Sequence, residues 1–403
     1  MTIRSASRRF AALASAVVTL LVGGTAGCGV DSGGAASSDS GGKSSAEYVV
    51  AAEKIVDQAR SGLIYSSTNE FTPADKLKVM KTWLGPEQSP AAPVGKTIAF
   101  VSCGAQVCDL TAQAGADVAA KAGFKVSLVN MHGAADIPNL NQAMSSSIAL
   151  KPNAIIAVCI TATQVADKLE QARKAGILTV STCDPTPTGG SGRFDAAADY
   201  ANGLSAELLG FGIVAGTGGR ANVVAIKDEA FPAVVRKIGN LVQVVEDCAT
   251  CKIKTVTWQI TDAANSAKAA NILTGIINAN PAMNTLVLPY SVGMPSAVQA
   301  VASSGRDIKI YADDLDSVNL QMLKSGSIAM VSSVDPQLAM YQCIDQVIRG
   351  LAGKEYVKGE GLPYLAHLYT KDKLPDTGVG AFQEFFDYAS VYQKLWGQRD
   401  SHG

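Results

Sequence analysis

Aromatic residues are scarce in this 403-residue chain, at 6%, with only three tryptophans and three histidines. Few ring faces are therefore on offer for stacking. Neither sign of charge dominates: 34 Lys+Arg stand against 35 Asp+Glu, for a net charge of −1. That balance gives no basic face for nucleic acid, which is excluded as a partner. Long hydrophobic runs are missing too. The one apolar stretch approaching membrane length, Phe10 to Val22, is too short to span a bilayer as a helix, so a multispanning membrane protein is excluded. Eight cysteines are too few for a disulfide scaffold at this length. What is abundant is aliphatic: 47% of the residues are hydrophobic, enough for a large core and too many for a disordered chain.

Catalytic patterns are also lacking. No G-x-S-x-G elbow and no phosphate-binding loop occur, and Gly210-Phe211-Gly212 falls inside a helical stretch, so it is no dinucleotide fingerprint. Of the histidines, His132, His367 and His402, the first follows a strand and reads as a solvated loop residue. The chain is therefore read as a non-enzyme.

The amino terminus carries an export address. Arg4, Arg8 and Arg9 precede the apolar run and small residues end it, which is the order of a secretory signal covering 1–27. Thr25-Ala26-Gly27-Cys28 resembles a bacterial lipobox, with Cys28 as the acylated first residue of the mature protein. Thr25 stands where the pattern has Leu, Val or Ile, so plain secretion with an incidental Cys28 is the alternative. Residues 28–45 supply a Gly/Ser tether suited to a domain moving relative to its anchor. The expected location is extracytoplasmic, held at the cell membrane by lipid alone.

Beyond the tether, 46–95 reads as a helical extension, with Val49, Val50, Ile55, Val56 and Ala59 at helical spacing and a proline-rich exit. From Thr97 short β-branched runs alternate with amphipathic segments. The runs are Thr97–Ser102, Lys125–Val129, Ala154–Ile160, Ile177–Thr182, Asn222–Ile226, Lys252–Trp258, Thr285–Leu288, Ile308–Tyr311 and Ser327–Ser332. Such alternation predicts parallel sheets covered by helices on both faces. Nine strands exceed one small sheet, and the irregular stretch 184–197 is the natural crossing between two bodies.

Several phrases then carry a resemblance. Lys96 to Ser102 looks like an opening strand, and Pro152 to Ala157 like a strand after a K-P-D turn. Ala175 to Ser181 looks like A-G-I-P-V-V, and Arg236-Lys-Ile-Gly239 fits R-x-x-G. Ile310-Tyr-Ala-Asp313 followed by Leu323-Lys-Ser-Gly-Ser-Ile fits v-G-x-D … l-k-x-G-x-i. Colinear from about Lys96 to Asp376, these resemble type I periplasmic binding proteins, the sugar-type solute receptors of ABC importers. The resemblance implies two doubly wound parallel-sheet lobes joined by a three-strand hinge. Lobe 1 would take 96–185 plus part of 330–403 and lobe 2 198–330, with a hinge crossing at 362–370. It implies a monomer that takes a small-molecule solute and docks on an ABC permease with its ATPase. A lipoprotein presenting its ligand to a membrane receptor or sensor kinase is the alternative.

Ligands of open α/β sheets sit beyond the carboxyl ends of the strands. The candidate binding residues are therefore Cys103, Gln106, Asp184, Arg236, Trp258, Tyr290, Ser291 and Asp313. By resemblance, Arg236 and Asp313 hold ligand hydroxyls, and Asp184 or Cys183 takes the family's Asp position. Departures matter as well. Tyr290-Ser291-Val292 replaces an Asn-Asp, Val334 replaces a Gln, and Cys103 to Cys108 replaces a stacking aromatic. A ligand less polar than a free aldose is expected, since buried hydroxyls need partners. Cys103 with Cys108 and Cys248 with Cys251 flank short loops, and the family order places Cys159 beside Cys183. Three bridges are expected, with Cys343 a buried free thiol. The spacing of Cys248 and Cys251 also suits half a zinc site or a redox pair. No second Cys/His pair matches, so no metal and no cofactor are expected.

Overall fold

The computed structural model describes residues 45–133, 136–183 and 187–397. The signal, Cys28, the tether up to residue 44 and Asp184 lie outside the described residues. Among the described residues no helix is long and apolar enough to cross a membrane.

The chain begins with a strap that the alternation pattern only partly foretells. Helix α1 (Ser45–Ser61) is followed by two short strands, β1 (Ile64–Ser66) and β2 (Lys78–Val79), so the extension is helical only to Ser61. Lobe 1 comes next. Its five parallel strands are β3 (Thr97–Ser102), β4 (Lys125–Val129), β5 (Ala154–Val158), β6 (Leu178–Thr182) and β7 (Ala196–Ala197), in spatial order β4-β3-β5-β6-β7. Helices α2 (Gln106–Lys121), α3 (Ile137–Ala149) and α4 (Ala162–Lys174) connect them. Strands β3, β5 and β6 are buried almost throughout, as expected of a sheet covered on both faces.

Lobe 2 opens with α5 (Asn202–Gly216), then β8 (Asn222–Lys227), α6 (Pro232–Glu246), β9 (Lys252–Thr257), α7 (Ile260–Ala264) and α8 (Ser266–Ala279). It continues with β10 (Thr285–Leu288), α9 (Met294–Ser304), β11 (Lys309–Asp313), α10 (Ser317–Ser325) and β12 (Met330–Ser333). Its parallel strands run β9-β8-β10-β11-β12, the same winding as lobe 1. Strand β12 starts later than Ser327 because the Ser327 and Ile328 amides bond back to the Met322 carbonyl, at 3.0 and 3.4 Å, closing α10. The chain returns to lobe 1 as α11 (Pro336–Leu351), which packs on α2 and β6, and then re-enters lobe 2 as β13 (Tyr364–Tyr369). Strand β13 pairs antiparallel with β12, and β1 and β2 extend that edge antiparallel, so this sheet has eight strands and is mixed. The last helix, α12 (Tyr388–Leu395), packs on α11. The hinge therefore has the three expected connections between lobes, and the strap and the carboxyl tail add one crossing each.

Burial explains why the strap exists. Helix α5 is buried all round, with every residue from Asn202 to Val214 covered, so one sheet face cannot cover it. Helix α1 supplies the missing cover: Ala52, Ile55, Val56 and Ala59, spaced i, i+3, i+4, i+7, are its buried stripe against α5. Burying Ile55 and Val56 contributes about 1.5–3 kcal/mol each. Gly210 and Gly212 let neighbours approach, since a Cβ there would meet Val244 at 2.9 Å and run into the Met330 sulfur. His367 on β13 is buried, and its Nδ1 lies 2.9 Å from the Gly62 carbonyl, which can only accept, so Nδ1 carries the proton. On lobe 1 the strap stacks Trp83 on Phe386 at 5.1 Å and edge-on to Tyr392 at 5.5 Å. There the Ser89 hydroxyl donates to Asp345, and the Gln88 carbonyl accepts from Arg349.

One polar group is walled in where strap and α5 meet. Glu207 is fully buried; its Oε1 accepts from the Thr72 amide at 3.1 Å and Asn240 Nδ2 at 2.8 Å, and its Oε2 has no partner. Burial pushes its carboxyl pKa up to about 8, against hydrogen bonds from Thr72 and Asn240 that pull it down. The folded chain holds this proton up to about pH 8 while the unfolded chain releases it near 4.5, so stability from this group is lost as pH rises through that window. Glu207→Gln, which keeps the shape without the charge, is expected to flatten the dependence of the melting temperature between pH 5 and 9. It should also melt several degrees above the parent at pH 9. A variant with an unchanged pH profile would place the titrating group elsewhere.

Candidate functional site

The lobes share one strand order, 2-1-3-4-5 in each lobe's own count, and its winding reverses between β3 and β5 in lobe 1 and between β8 and β10 in lobe 2. Crevices open at such reversals, beyond the carboxyl ends of the strands. A cleft lies there, lined from lobe 1 by Cys103, Val107, Cys108, Cys159, Thr161 and Cys183. Lobe 2 contributes Phe231 to Val234, Lys237, Ile260, Tyr290 to Val292 and Asp314. Tyr200 and Asn202, from the segment joining the lobes, close its floor. It encloses about 80 Å³.

Two disulfides build the lobe 1 wall. Cys103 is bonded to Cys108 and Cys159 to Cys183, while the third bridge, Cys248 to Cys251, closes the turn before β9. Cys159 and Cys183 both take left-handed backbone, with φ of 53° and 64°, where β5 and β6 end. Such conformations cost of order 1 kcal/mol in a non-glycine residue and concentrate at functional sites. Cys343 is free and buried, its thiol pKa pushed well up by burial. Among the described residues no cluster could hold a metal ion.

The polar chemistry around the cleft is turned inward. Asp228, after β8, accepts from the Ala230 and Ile260 amides at 3.0 and 2.8 Å and from the Tyr290 hydroxyl at 3.2 Å. Asp316 accepts from the Ser291 hydroxyl and from the Val318 and Asn319 amides at 3.0 and 2.9 Å. Lys237 Nζ sits 3.2 Å from Asp314, 3.5 Å from Asp313 and 3.0 Å from the Pro289 carbonyl. Burial alone would depress this ammonium, but the Asp313 and Asp314 charges outweigh it and raise its pKa. Burial raises the pKa of Asp313, with Lys237 opposing. Asp109 accepts from Ser102 Oγ at 2.5 Å and the His132 amide at 2.8 Å, and His132 itself is exposed.

The predicted residues divide accordingly. Cys103, Tyr290 and Ser291 line the cleft. Gln106 opens α2 beside it but is exposed and does not line it. Trp258 is buried behind Tyr290, the rings parallel within 15° and 6.3 Å apart. Asp313 is buried one layer back, accepting from Ser205 Oγ at 3.0 Å. Arg236 bonds Asp199 at 2.7 Å and faces a separate hinge cavity bounded by Asn69 and Tyr364. Asp184 is outside the described residues. Helix phase explains the largest correction: α6 starts at Pro232 with Ala233, Val234 and Lys237 on the cleft face, and Arg236 is turned about 100° from Lys237. Strand alternation explains the next, since Asp313 ends β11 facing inward while Asp314, at φ 68°, turns to the cleft.

Removing Arg236 should therefore act on stability before affinity. With both side chains about nine-tenths buried, Arg236→Ala leaves Asp199 without its guanidinium and is expected to cost about 2 kcal/mol in urea unfolding. A variant of unchanged stability would contradict the structural role.

The fold and cleft can be set beside known proteins. No curated protein sequence matches the chain. Among solved structures, an ABC sugar transporter subunit from Rhodobacter sphaeroides 2.4.1 is similar at 21% identity and TM-score 0.58, over 70% of this chain and 99% of that one. An ABC transporter solute-binding protein from Agrobacterium vitis with bound allitol is similar at 22% and 0.57, over 69% and 96%. The glucose-galactose binding protein GanP from Geobacillus stearothermophilus is similar at 17% and 0.61, over 70% and 100%. These structures share the fold. The model of the periplasmic binding protein domain matches residues 101–355, well over half of the chain. With its two like-wound lobes around one cleft, the chain belongs to the periplasmic binding protein domain family, substrate-binding proteins that are not enzymes.

Proposed function

We propose that this chain is the extracytoplasmic solute receptor of an ABC importer, anchored through acylated Cys28. It captures a small solute less polar than a free aldose and delivers it to a permease and its ATPase. One observation carries the ligand reading: the carboxylates around the cleft already have internal partners, and the wall facing them is two disulfides. A hexose brings several hydroxyls, each needing a partner once buried, and an unmet one costs about 1–3 kcal/mol. Arg236, the residue that the resemblance assigned to a hydroxyl, faces away. The solved relatives bind allitol or carry sugar-binding names, and those ligands belong to those proteins. Capture works by closure, because a solute touching both lobes stabilises the state that brings them together.

Thermal shift across a panel tests the reading. Small ketones, esters and aromatic compounds are expected to raise the melting temperature, and free aldoses to leave it unchanged. Strong stabilisation by an ordinary aldose alone would overturn it. For the anchor, intact mass of the membrane fraction should show a chain starting at Cys28 with added acyl mass. An unmodified soluble form would favour plain secretion.

A further inference from the structure

Donors and acceptors are unevenly distributed on the cleft surface. Every helix leaves its first-turn amides without an intrahelical acceptor. Helices α2 and α6 both begin at the cleft and carry no side-chain cap. In α6 Pro232 has no N–H and the Val234 amide is held by the Phe231 carbonyl at 2.9 Å, which leaves the Ala233 amide. In α2 the amides of Val107 and Cys108 stand at the lining. A second, independent observation lies on the floor. Asn202 is 5% exposed, lines the cleft, and its side-chain amide has no hydrogen-bond partner among the described residues. Its amide opens onto the cleft, where a ligand oxygen can replace solvent as its partner.

Acceptors show the opposite pattern. Asp228 and Asp316 spend their oxygens on internal donors and Asp314 accepts from Lys237, while Asp313, whose Oδ2 has no partner, is buried behind the lining. These carboxylates also outnumber Lys237, so an anionic ligand would meet repulsion. The cleft volume of about 80 Å³ leaves room for several waters, the space of a small ligand.

We infer that the cleft selects a small neutral carbonyl compound, a ketone, lactone or ester with an apolar body, whose oxygen accepts from Asn202 and the free helix amides. This rests on the reading of the cleft as a site for a less polar solute, and it names the class. An alcohol of the same skeleton must also place its hydroxyl proton on an acceptor. The lining and neighbouring carboxylates Asp228, Asp314 and Asp316 are engaged, so it would have to use Asn202 Oδ1 and forgo the Nδ2 donor that meets a carbonyl. The apolar body lies against Phe231, Val292 and the two bridges.

Three rings of matched size test the inference on the full mature chain: cyclopentanone, γ-butyrolactone and cyclopentanol, with ligand-observed NMR titration as the readout. The two carbonyl compounds are expected to bind at least tenfold more tightly than the alcohol. Asn202→Ala should erase that preference, and Asn202→Asp should weaken the carbonyl compounds further by turning lone pairs toward the oxygen. Circular dichroism and a melting curve establish that each variant is folded, and cyclopentane binding reports the apolar wall independently of position 202. Cyclopentanol binding as tightly as the ketone, or a preference that survives Asn202→Ala, overturns the carbonyl class and leaves the apolar-solute reading intact. Failure of all the rings together with binding of an aldose overturns both.

Discussion

Helix α5 has no solvent-facing side, and the rest of the molecule is arranged around that fact. A helix buried on all sides needs more cover than a doubly wound sheet provides, and α1 provides it from the opposite end of the chain. Burial also makes the helix a rigid reference for what it touches. Its first residue, Asn202, enters the cleft, Ser205 holds Asp313, and Glu207 holds the strap through Thr72. Glycines at 210 and 212 set how closely the outer layer and β12 approach. One secondary-structure element thus joins the ligand site, a buried ion pair and the covering strap. A change in its packing would reach all three.

The cleft has the two-lobed architecture of a periplasmic binding protein domain, with its polar groups turned inward. Carboxylates remain at the strand ends, but their oxygens are spent on the loops that carry them. Two bridges stand on the opposite wall, stiff and apolar, where the resemblance leads one to expect an aromatic platform. Internal satisfaction of this kind lowers the cost of an empty cleft, because no charged group waits unpaired for a ligand. It also transfers recognition from side-chain carboxylates to backbone amides and one asparagine.

The fold was legible because alternation of β-branched and amphipathic segments is a strong signal, and nearly every strand from Thr97 to β12 lies where that signal put it. The Cys103–Cys108 and Cys248–Cys251 bridges were legible from position, since cysteines flanking short loops come close whatever the surroundings, and Cys159–Cys183 from the strand order that the resemblance implied. The strap's hairpin was not. Strands of two and three residues carry no period, and β13, the partner of β1, is some 300 residues away. The site was half legible. Chain position locates strand ends, but whether Arg236 or Lys237 faces the cleft is a matter of helix phase, and whether Asp313 binds ligand or lysine depends on what packs behind it. Asn202 left no trace in the sequence at all, because its significance lies in lacking a partner.

The strap has a consequence for the order of assembly. Its β1 joins the sheet through β13, and its Trp83 and Ala92 find Phe386 and Trp396 near the opposite end. Contacts of such sequence separation carry the largest loop-closure cost and form late. The segment made first is therefore among the last to dock. Until β13 is in place, α5 lacks part of its cover and the chain keeps an apolar face open. The N-terminal helix thus acts as a closing seam, sealing the body only once β13 has been made.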